Sequence, residues 1–324
     1  MSGPQLESVQ ADDDGTRVDR WFLRKFPGLK HGHLQKLMRT GQVRVDGKRV
    51  KGSSRLETGQ SVRIPPMDPE HTISDPQNID YLDPNDREWI QSLILYADNE
   101  IIALNKPPGI AVQGGSRITR HIDGLLAGLV PVGTEKPKLL HRLDRDTSGV
   151  LLVALKTGVA RRIGEIFRGR EAIKTYWALV SGVPRDLNGC VRSNLIKQAD
   201  RDGREKIMSS DGPGKPAVTQ YKVIATVAKR AAWLALQPKS GRTHQLRVHC
   251  AELGTPIVGD IKYGGSRSIV DGLPNTQHLH LHARSITLPH PSGGELKVVA
   301  PMSEVMEATW KSLGFEKIKT ADRL

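Results

Sequence analysis

Residues 141–149 read His-Arg-Leu-Asp-Arg-Asp-Thr-Ser-Gly, and the wholly apolar run 150–155 follows at once. That run predicts a buried strand. A charged cluster beside a buried strand destabilises a protein unless it is solvated or paired. This cluster holds two carboxylates, Asp144 and Asp146, together with two guanidiniums and one imidazole. Such a mixture suits an ionised carboxylate held beside cations, so the segment predicts a functional site.

Length and charge set the broad class of the protein. A chain of 324 residues predicts two domains. Lys and Arg number 48 against 35 Asp and Glu, which gives a formal net charge of +13. This imbalance favours a polyanionic partner, nucleic acid ahead of an anionic membrane, over a basic protein without such a partner. Aromatic residues make up only 4% of the chain, which argues against broad stacking platforms for single strands.

Cysteine content and the N-terminus bear on the compartment. Cys190 and Cys250 are too few and too far apart in sequence for a disulfide framework or a zinc module, as is typical of a reducing cytoplasm. No apolar run reaches membrane-spanning length. The first fourteen residues include three consecutive Asp and no Lys or Arg, which argues against a signal or transit peptide. We therefore expect a cytoplasmic protein with no membrane partner.

The positive charge is concentrated near the N-terminus. Between Thr16 and Arg63 there are thirteen Lys or Arg and three Asp or Glu, so ten of the thirteen net charges lie in 48 residues. Apolar residues at helical spacing predict two short helices, the first capped by Thr16 and the second closed by Gly41. The Asp46-Gly47 pair predicts the turn of a hairpin. We expect this basic unit to contact RNA phosphates, and a merely solvated basic face is the alternative.

The remaining chain predicts a linker and an enzyme-sized domain. Residues 65–88 contain five Pro and seven acidic residues against one Arg, a composition typical of an extended linker. Beyond them, short apolar runs outnumber helical stretches, which predicts a mixed sheet with helices packed on it. The loop 201–212 reads as an exposed excursion. Strands are predicted at 93–96, 101–104, 150–155, 176–180, 218–224, 233–236, 278–282 and 296–299, and helices near 122–129, 158–167 and 243–253.

The predicted fold class is α+β, with a small αα-β-hairpin domain before a domain built on a mixed, largely antiparallel sheet. Its five segments are a disordered acidic N-terminus (1–15), the basic RNA-binding domain (16–64), an acidic Pro-rich linker (65–91), the large domain (92–315) and a C-terminal tail (316–324).

The charged segment 141–149 resembles the HRLDxxTSG signature of the RluA/RluC/RluD family of RNA pseudouridine synthases at every fixed position. The basic unit resembles the RNA-binding fold named for ribosomal small-subunit protein four, which precedes the catalytic domain in many of these enzymes. The resemblance extends from about residue 16 to 300 and implies a central RNA-binding cleft. It also implies conversion of uridine in RNA to pseudouridine with no cofactor. Further segments that resemble family motifs are 105–112, 174–182, 214–219 and 240–249.

The resemblance also implies roles for individual residues. Asp144 is the nucleophile, acting either at C1′ or at the uracil ring, and Arg247 pairs with it. Tyr176 packs on the base and helps to move a proton. Expected contacts to RNA are Arg142, which takes part in base flipping, Arg242 and His244 in the cleft, and Lys36, Arg39, Arg44 and Lys48 in the basic unit.

Other interpretations of the sequence stay open. A non-catalytic RNA-binding or ribosome-assembly factor, or a base-excising glycosylase, shares the charge pattern and the carboxylate. Alternation in 278–282 places three His on one strand face, but no acidic or Cys companion lies nearby, and we expect no metal. Residues 104–115 most resemble the branch that modifies large-subunit ribosomal RNA, although Gln113 stands where many relatives have His. We expect large-subunit ribosomal RNA to be the partner, and we expect that no oligomer is required.

Overall fold

The computed structural model describes residues 4–66, 82–115, 118–199 and 205–315, apart from Pro27 and Lys30. The chain divides into two compact units, residues 1–81 and 82–324. The predicted tail, 316–324, lies outside the described residues, as do residues 67–81 of the predicted linker. Within the described ranges, no helix is long and apolar enough to cross a membrane.

The first unit packs two helices on a small antiparallel sheet whose strand order is β1-β4-β2-β3. The predicted hairpin is confirmed, because Asp46 and Gly47 both have positive φ, as its two-residue turn requires. Trp21, Phe22 and Leu34 are fully buried between the helices and the sheet. Its elements are β1 (Gln5–Ser8), α1 (Val18–Lys25), α2 (His31–Arg39), β2 (Arg44–Val45), β3 (Lys48–Arg49) and β4 (Ser61–Ile64).

Two predictions at the start of the chain are wrong. Residues 1–15 were expected to be disordered, yet β1 pairs with β4 and Asp13 is buried, where it accepts a hydrogen bond from Trp21 Nε1 at 2.8 Å. The acidic composition of this segment suggested disorder, although one of its carboxylates is buried and hydrogen-bonded. The first helix is preceded by Arg17 and not by the expected Thr16, and Arg17 provides no side-chain cap.

The predicted linker is also wrong at its C-terminal end, where α3 (Pro84–Ser92) belongs to the second unit. The Asp83 side chain accepts a hydrogen bond from the Asn85 amide at 2.8 Å, and Pro84 stands at the first turn. Asp before Pro is thus a helix start here, although the same residues are typical of linkers. Ile90 of this helix is fully buried.

Eleven strands of the described residues form one sheet in the second unit, in the order β11-β10-β12-β13-β9-β14-β8-β6-β5, with β15 on β14 and β7 on β8. Only the β8–β14 pair is parallel among them, so the predicted mixed, largely antiparallel sheet is confirmed. The strands are β5 (Ile94–Ala97), β6 (Ile101–Lys106), β7 (Lys138–Leu139), β8 (Ser148–Ala154), β9 (Ile173–Ser181), β10 (Asn188–Ala199), β11 (Glu205–Ser210), β12 (Lys215–Val227), β13 (Ala231–Pro238), β14 (Leu281–Pro289) and β15 (Glu295–Val299).

Strand β8 is buried throughout, and its residues 150–154 are all apolar, because helices cover both faces of the sheet at this point. Val150 and Leu152 pack with one cluster, which includes a helix at Val159 and Ile163, and Leu151 and Val153 pack with another on the opposite face. The helices are α4 (Ile122–Leu125), α5 (Thr157–Gly169), α6 (Gln245–Glu252), α7 (Ile261–Gly264) and α8 (Glu304–Ser312), with 3-10 turns at Ala11–Asp13, Leu126–Leu129 and Gly265–Ser268.

The polar hairpin β10–β11 differs from the prediction. Residues 205–210 of the expected loop form β11, which pairs with β10 from Asn194↔Ser210 to Ala199↔Glu205. No strand was predicted at 188–199, because half of these residues are polar and they lie at a partly exposed region of the sheet. Residues 201–204 of the expected loop lie outside the described ranges.

The parallel junction between β8 and β14 holds the charged segment against the sheet. Gly149 has a φ of +108°, and a Cβ there would overlap the carbonyl oxygen of Ala283. Only glycine combines this conformation with so close an approach. The neighbouring Ser148 hydroxyl is hydrogen-bonded to His282 Nδ1 at 2.8 Å. The last residues of the segment are therefore fixed by packing, and its charged residues lie just before this anchor.

Candidate active site

Asp144 lies in the turn that leads into β8, beside a cavity of about 340 Å³. The same cavity is lined by Tyr176 from β9 and by His244 and Arg247 from the start of α6. Segments about 30 and 100 residues from Asp144 in sequence are thus brought together, as the resemblance implied for Asp144, Tyr176 and Arg247. A volume of this size suits a small ligand such as one nucleoside.

Hydrogen bonds to the sheet fix the backbone around Asp144. His141 Nε2 accepts a hydrogen bond from the Leu152 amide at 3.0 Å. Burial lowers the pKa of His141 to about 3, which keeps the imidazole neutral in this acceptor role. Leu143 is buried, and the Thr147 amide donates to the Asp144 carbonyl at 3.2 Å. Asp144 therefore sits on a rigid turn.

Lys106 ties a second loop to the same turn. Its fully buried ammonium donates to the carbonyls of Pro107, Ile110 and Arg145 at 2.7 to 2.9 Å. Burial lowers the pKa of Lys106 to about 7, while the nearby Asp146 and Asp144 raise it. The segment 105–112 is one of those that resemble family motifs, and through the hydrogen bonds of Lys106 it holds the turn at Arg145 in place.

Arg247 reaches Asp144 but binds Asp260 more closely. Its Nη1 lies 3.9 Å from Asp144 Oδ2, whereas Nη2 and Nε donate to the two Asp260 oxygens at 2.7 and 2.8 Å. The Asp260 side chain is fully buried. Although burial opposes its charge, hydrogen bonding to Asp260 raises the pKa of Arg247 above the ordinary value. Arg247 is therefore a cation fixed by Asp260, and its remaining edge faces the Asp144 carboxylate.

The loop before α6 is shaped by one amide side chain. Gln245 Oε1 accepts from the Ser240 hydroxyl at 2.8 Å and from the Arg242 amide at 3.1 Å, and Nε2 donates to the Val218 carbonyl and the Thr219 hydroxyl, both at 3.0 Å. The helix begins at Gln245, two residues later than the predicted Thr243. The Gln245 side chain thus ties the loop before the helix to β12.

His244 points into the cavity and bridges two groups. Its Nε2 lies 3.8 Å from Asp144 Oδ2, and its Nδ1 is hydrogen-bonded to the Tyr263 hydroxyl at 2.6 Å. Burial lowers the pKa of His244, Asp144 opposes the shift, and Arg247 adds to it. His244 also has a left-handed backbone, with φ 53°. The imidazole was predicted to contact phosphate or base, and the structure places it beside the carboxylate.

Tyr176 and two arginines complete the border of the cavity. Burial raises the pKa of Tyr176, and the nearby Asp144 adds to the shift, so the phenol stays protonated. Arg142 and Arg242 are exposed and line the same cavity. In the first unit, the predicted contacts Lys36, Arg39, Arg44 and Lys48 are all exposed.

The three-histidine run does not form a common face. Strand β14 begins only at Leu281, so His278 and His280 precede it and the predicted strand 278–282 is wrong at its start. His280 Nε2 is hydrogen-bonded to Thr309 at 3.0 Å, and His282 is hydrogen-bonded to Ser148 and to the Ala300 carbonyl. These imidazoles serve packing, and no cluster of metal-ligating side chains occurs in the described part of the chain.

Comparison with known proteins identifies the family. A family model described as RNA pseudouridylate synthase matches residues 100–252. Ribosomal large subunit pseudouridine synthase C of Escherichia coli (strain K12) is 35% identical over 317 residues, which cover 95% of this chain and 96% of that protein. The protein of the same name from Buchnera aphidicola is 34% identical over 318 residues, 97% of this chain and 98% of its own length. This chain belongs to the family of RNA pseudouridine synthases.

Solved structures agree with this assignment. Human RNA Pseudouridylate Synthase Domain Containing 4 has a TM-score of 0.59 and 30% identity, and the match covers 72% of this chain and 98% of that one. Human RNA Pseudouridylate Synthase Domain Containing 1 has a TM-score of 0.53 and 25% identity, over 70% and 86% of the two chains. The predicted resemblance to the family is confirmed, and the relatives' names belong to the branch that residues 104–115 indicated.

The cavity of this pseudouridine synthase offers an oriented carboxylate, a fixed cation and a protonated phenol. A carboxylate beside a cation can act as a nucleophile while it is shielded from water. Because Arg247 is already fixed by Asp260, little reorganisation is needed when charge develops near Asp144.

Three residues at this site were not predicted: Asp260 and Tyr263, which contact Arg247 and His244 but do not line the cavity, and Lys174, which does. The first two come from the segment Gly259-Asp260-Ile261-Lys262-Tyr263-Gly264. A carboxylate and a phenol between glycines could have indicated a site here, because glycines allow two backbone segments to approach closely. A Cβ on Gly259, whose φ is +80°, would overlap the His278 carbonyl. Nothing in the sequence alone showed that Asp260 would lie against Arg247.

Proposed function

We propose that this pseudouridine synthase acts on uridines of large-subunit ribosomal RNA and that Asp144 is its nucleophile. The observation that carries the proposal is the position of Asp144 in a cavity of about 340 Å³, between Tyr176 and the fixed guanidinium of Arg247. The names of the relatives, which cover nearly the whole chain, support the choice of RNA.

The reaction is an isomerisation, so its atoms balance without a cofactor. The Asp144 carboxylate attacks either C1′ or the uracil ring, and the N1–C1′ bond breaks. The uracil turns within the cavity, a C5–C1′ bond forms, the bond to Asp144 breaks and frees the carboxylate, and the proton on C5 is lost as N1 gains one. Arg247 favours the ionised carboxylate, and Tyr176 packs on the base and assists a proton transfer.

Binding of the RNA involves both units in this proposal. A uridine in structured RNA has to leave its stack, and Arg142, at the rim of the cavity, occupies the space that it vacates. Arg242 contacts the phosphate chain, while His244 lies close enough to Asp144 to contact the base. The exposed cations Lys36, Arg39, Arg44 and Lys48 add affinity through phosphates with little sequence preference.

Two free cysteines fit action in the reducing cytoplasm.

Mapping of pseudouridine in ribosomal RNA tests the proposal. We expect deletion of the gene to remove pseudouridine at specific large-subunit positions, and the wild-type gene to restore them. Asp144→Ala should not restore them. Loss of no pseudouridine on deletion would show that the substrate is another RNA, and full restoration by Asp144→Ala would show that the nucleophile is elsewhere. A non-catalytic assembly factor predicts that the Ala variant restores ribosome assembly as well as the wild type does.

A further inference from the structure

Lys174 is a half-buried cation at the edge of the catalytic cavity. It stands two residues before Tyr176 on β9, so both side chains project from the same face of the strand. Its ammonium lies 4.1 Å from the centre of the Phe167 ring. Burial lowers the pKa of Lys174. Among the described residues, no carboxylate or hydrogen-bond acceptor contacts this ammonium, although a partly buried charge favours an anionic partner.

A second, smaller cavity of about 70 Å³ adjoins the catalytic one at Lys174. The two cavities lie side by side, because they share the lining residues Phe167, Lys174, Pro238, Ser240 and Gly241. The smaller cavity adds two further cations, the exposed Arg170 and Lys239. Asp144 is the single acidic residue that borders either cavity in the described chain.

The smaller cavity is too small for a nucleobase but suits one tetrahedral anionic group. Three cations surround it, and no carboxylate lines it among the described residues. RNA presents such a group on each side of any nucleotide. The edge that the two cavities share is therefore a place where a phosphate that flanks a nucleoside in the larger cavity can bind.

We propose that Lys174, with Arg170 and Lys239, forms a subsite for a phosphodiester that flanks the target uridine. The subsite rests on the proposed function, since it binds the same RNA. Phe167 supports the Lys174 stem and its charge, so the ammonium is held in place before RNA arrives. By binding the phosphate, Lys174 orients the sugar of the target uridine relative to Asp144. Tyr176 contacts the base.

The test uses the full-length synthase and a ribosomal RNA fragment that contains a uridine mapped by the deletion experiment. The fragment is made with one uncharged methylphosphonate in place of the phosphate 5′ or 3′ of the target. A 2′-O-methyl group on the adjoining sugar keeps the linkage stable, and a phosphodiester fragment with the same methyl group is the reference. Dissociation constants are measured for the wild type and for Lys174→Met, which keeps the aliphatic stem and removes the charge.

We expect Lys174→Met to bind the phosphodiester fragment roughly tenfold more weakly than the wild type does, because a hydrogen bond to a charged group is lost. At one of the two flanking positions, the methylphosphonate should weaken the wild type by a similar factor and leave Lys174→Met unaffected. Lys174→Arg should retain most of the affinity. Lys222→Met is the matched control, an exposed lysine of β12 that borders neither cavity, and should bind as the wild type does.

Equal losses for Lys174→Met on all three fragments would overturn the phosphate subsite and assign Lys174 to packing on Phe167. A lowered melting temperature with unchanged affinity would lead to the same conclusion. Failure of the wild type to convert any uridine in the fragment would instead contradict the proposed substrate, so the two failures are distinguishable.

Discussion

Arg247 donates its two shortest hydrogen bonds to Asp260, a fully buried carboxylate, and not to the carboxylate at the cavity. The planar guanidinium offers several donors in a fixed fork, so one edge can be held while another faces Asp144 at 3.9 Å. Asp260 therefore positions Arg247 and does not itself reach the cavity. Contacts within the protein therefore hold the cation in place without substrate.

Asp260→Asn tests this positioning role. The amide keeps the size of the side chain but removes the charge that fixes Arg247, so we expect kcat to fall by roughly 100-fold, as misplaced catalytic groups do. KM should change little, because the RNA contacts remain. The buried guanidinium loses its closest partner, so the free energy of unfolding should fall by roughly 3 kcal/mol. Tritium release from [5-³H]uridine RNA measures kcat, and urea denaturation measures the free energy of unfolding. An unchanged kcat would contradict the positioning role of Asp260.

Two buried histidines predict a loss of stability in acid. Burial lowers the pKa of His141 to about 3 and that of His282 to about 4, below the ordinary value of 6.5. The unfolded chain therefore binds more protons than the folded one below pH 6.5, and stability is lost as the pH falls from 6.5 towards 4. Each group contributes a slope of roughly 1.4 kcal/mol per pH unit. Urea denaturation between pH 7 and 5 should show this fall in the free energy of unfolding, and the fall should be shallower for His282→Gln. A free energy of unfolding that does not change with pH would contradict the prediction.

Gly149 and Gly164 form a matched pair for backbone strain. Gly149→Ala places a Cβ against the Ala283 carbonyl at positive φ, and we expect a loss of about 3 kcal/mol or more. Gly164 lies inside α5, where a Cβ makes only an ordinary contact, so Gly164→Ala should stabilise by roughly 0.5 kcal/mol. Thermal unfolding compares the two variants, and equal melting temperatures would mean that Gly149 carries no constraint.

The cations of the first unit predict a salt dependence. Replacing Lys36, Arg39, Arg44 and Lys48 with Gln should weaken RNA binding and make the plot of log affinity against log salt shallower by roughly 3, if each contacts one phosphate. Activity at saturating RNA should remain, because none of the four borders the catalytic cavity. An unchanged salt slope would assign these residues to a solvated face.

The sequence predicted the parts of the fold that depend on local pattern. The apolar run 150–155 located β8, the helical stretch near 158–167 located α5, and the Asp46-Gly47 pair located a hairpin, since these signals arise within a few residues. Composition was a poorer guide. It placed the Asp83-Pro84 helix start in a linker and treated a paired strand at residues 5–8 as disorder.

The candidate site was predictable only where a motif marked it. Asp144, Tyr176 and Arg247 stood in recognisable segments, and the structure brings them to one cavity. Asp260 had no such mark, because its importance arises from a hydrogen bond to Arg247 that only the folded chain reveals. Lys174 stood within a recognised segment, yet its exposure to two cavities depends on packing against Phe167.

The most direct test of the central claim compares the two carboxylates of the charged segment. Asp144 borders the cavity, whereas Asp146, two residues away, is exposed and borders none of the cavities described above. Single-turnover tritium release from [5-³H]uridine ribosomal RNA should be abolished in Asp144→Asn and remain near the wild-type rate in Asp146→Asn, with both variants folded and binding RNA. Turnover by Asp144→Asn at the wild-type rate would contradict the assignment of Asp144 as the nucleophile.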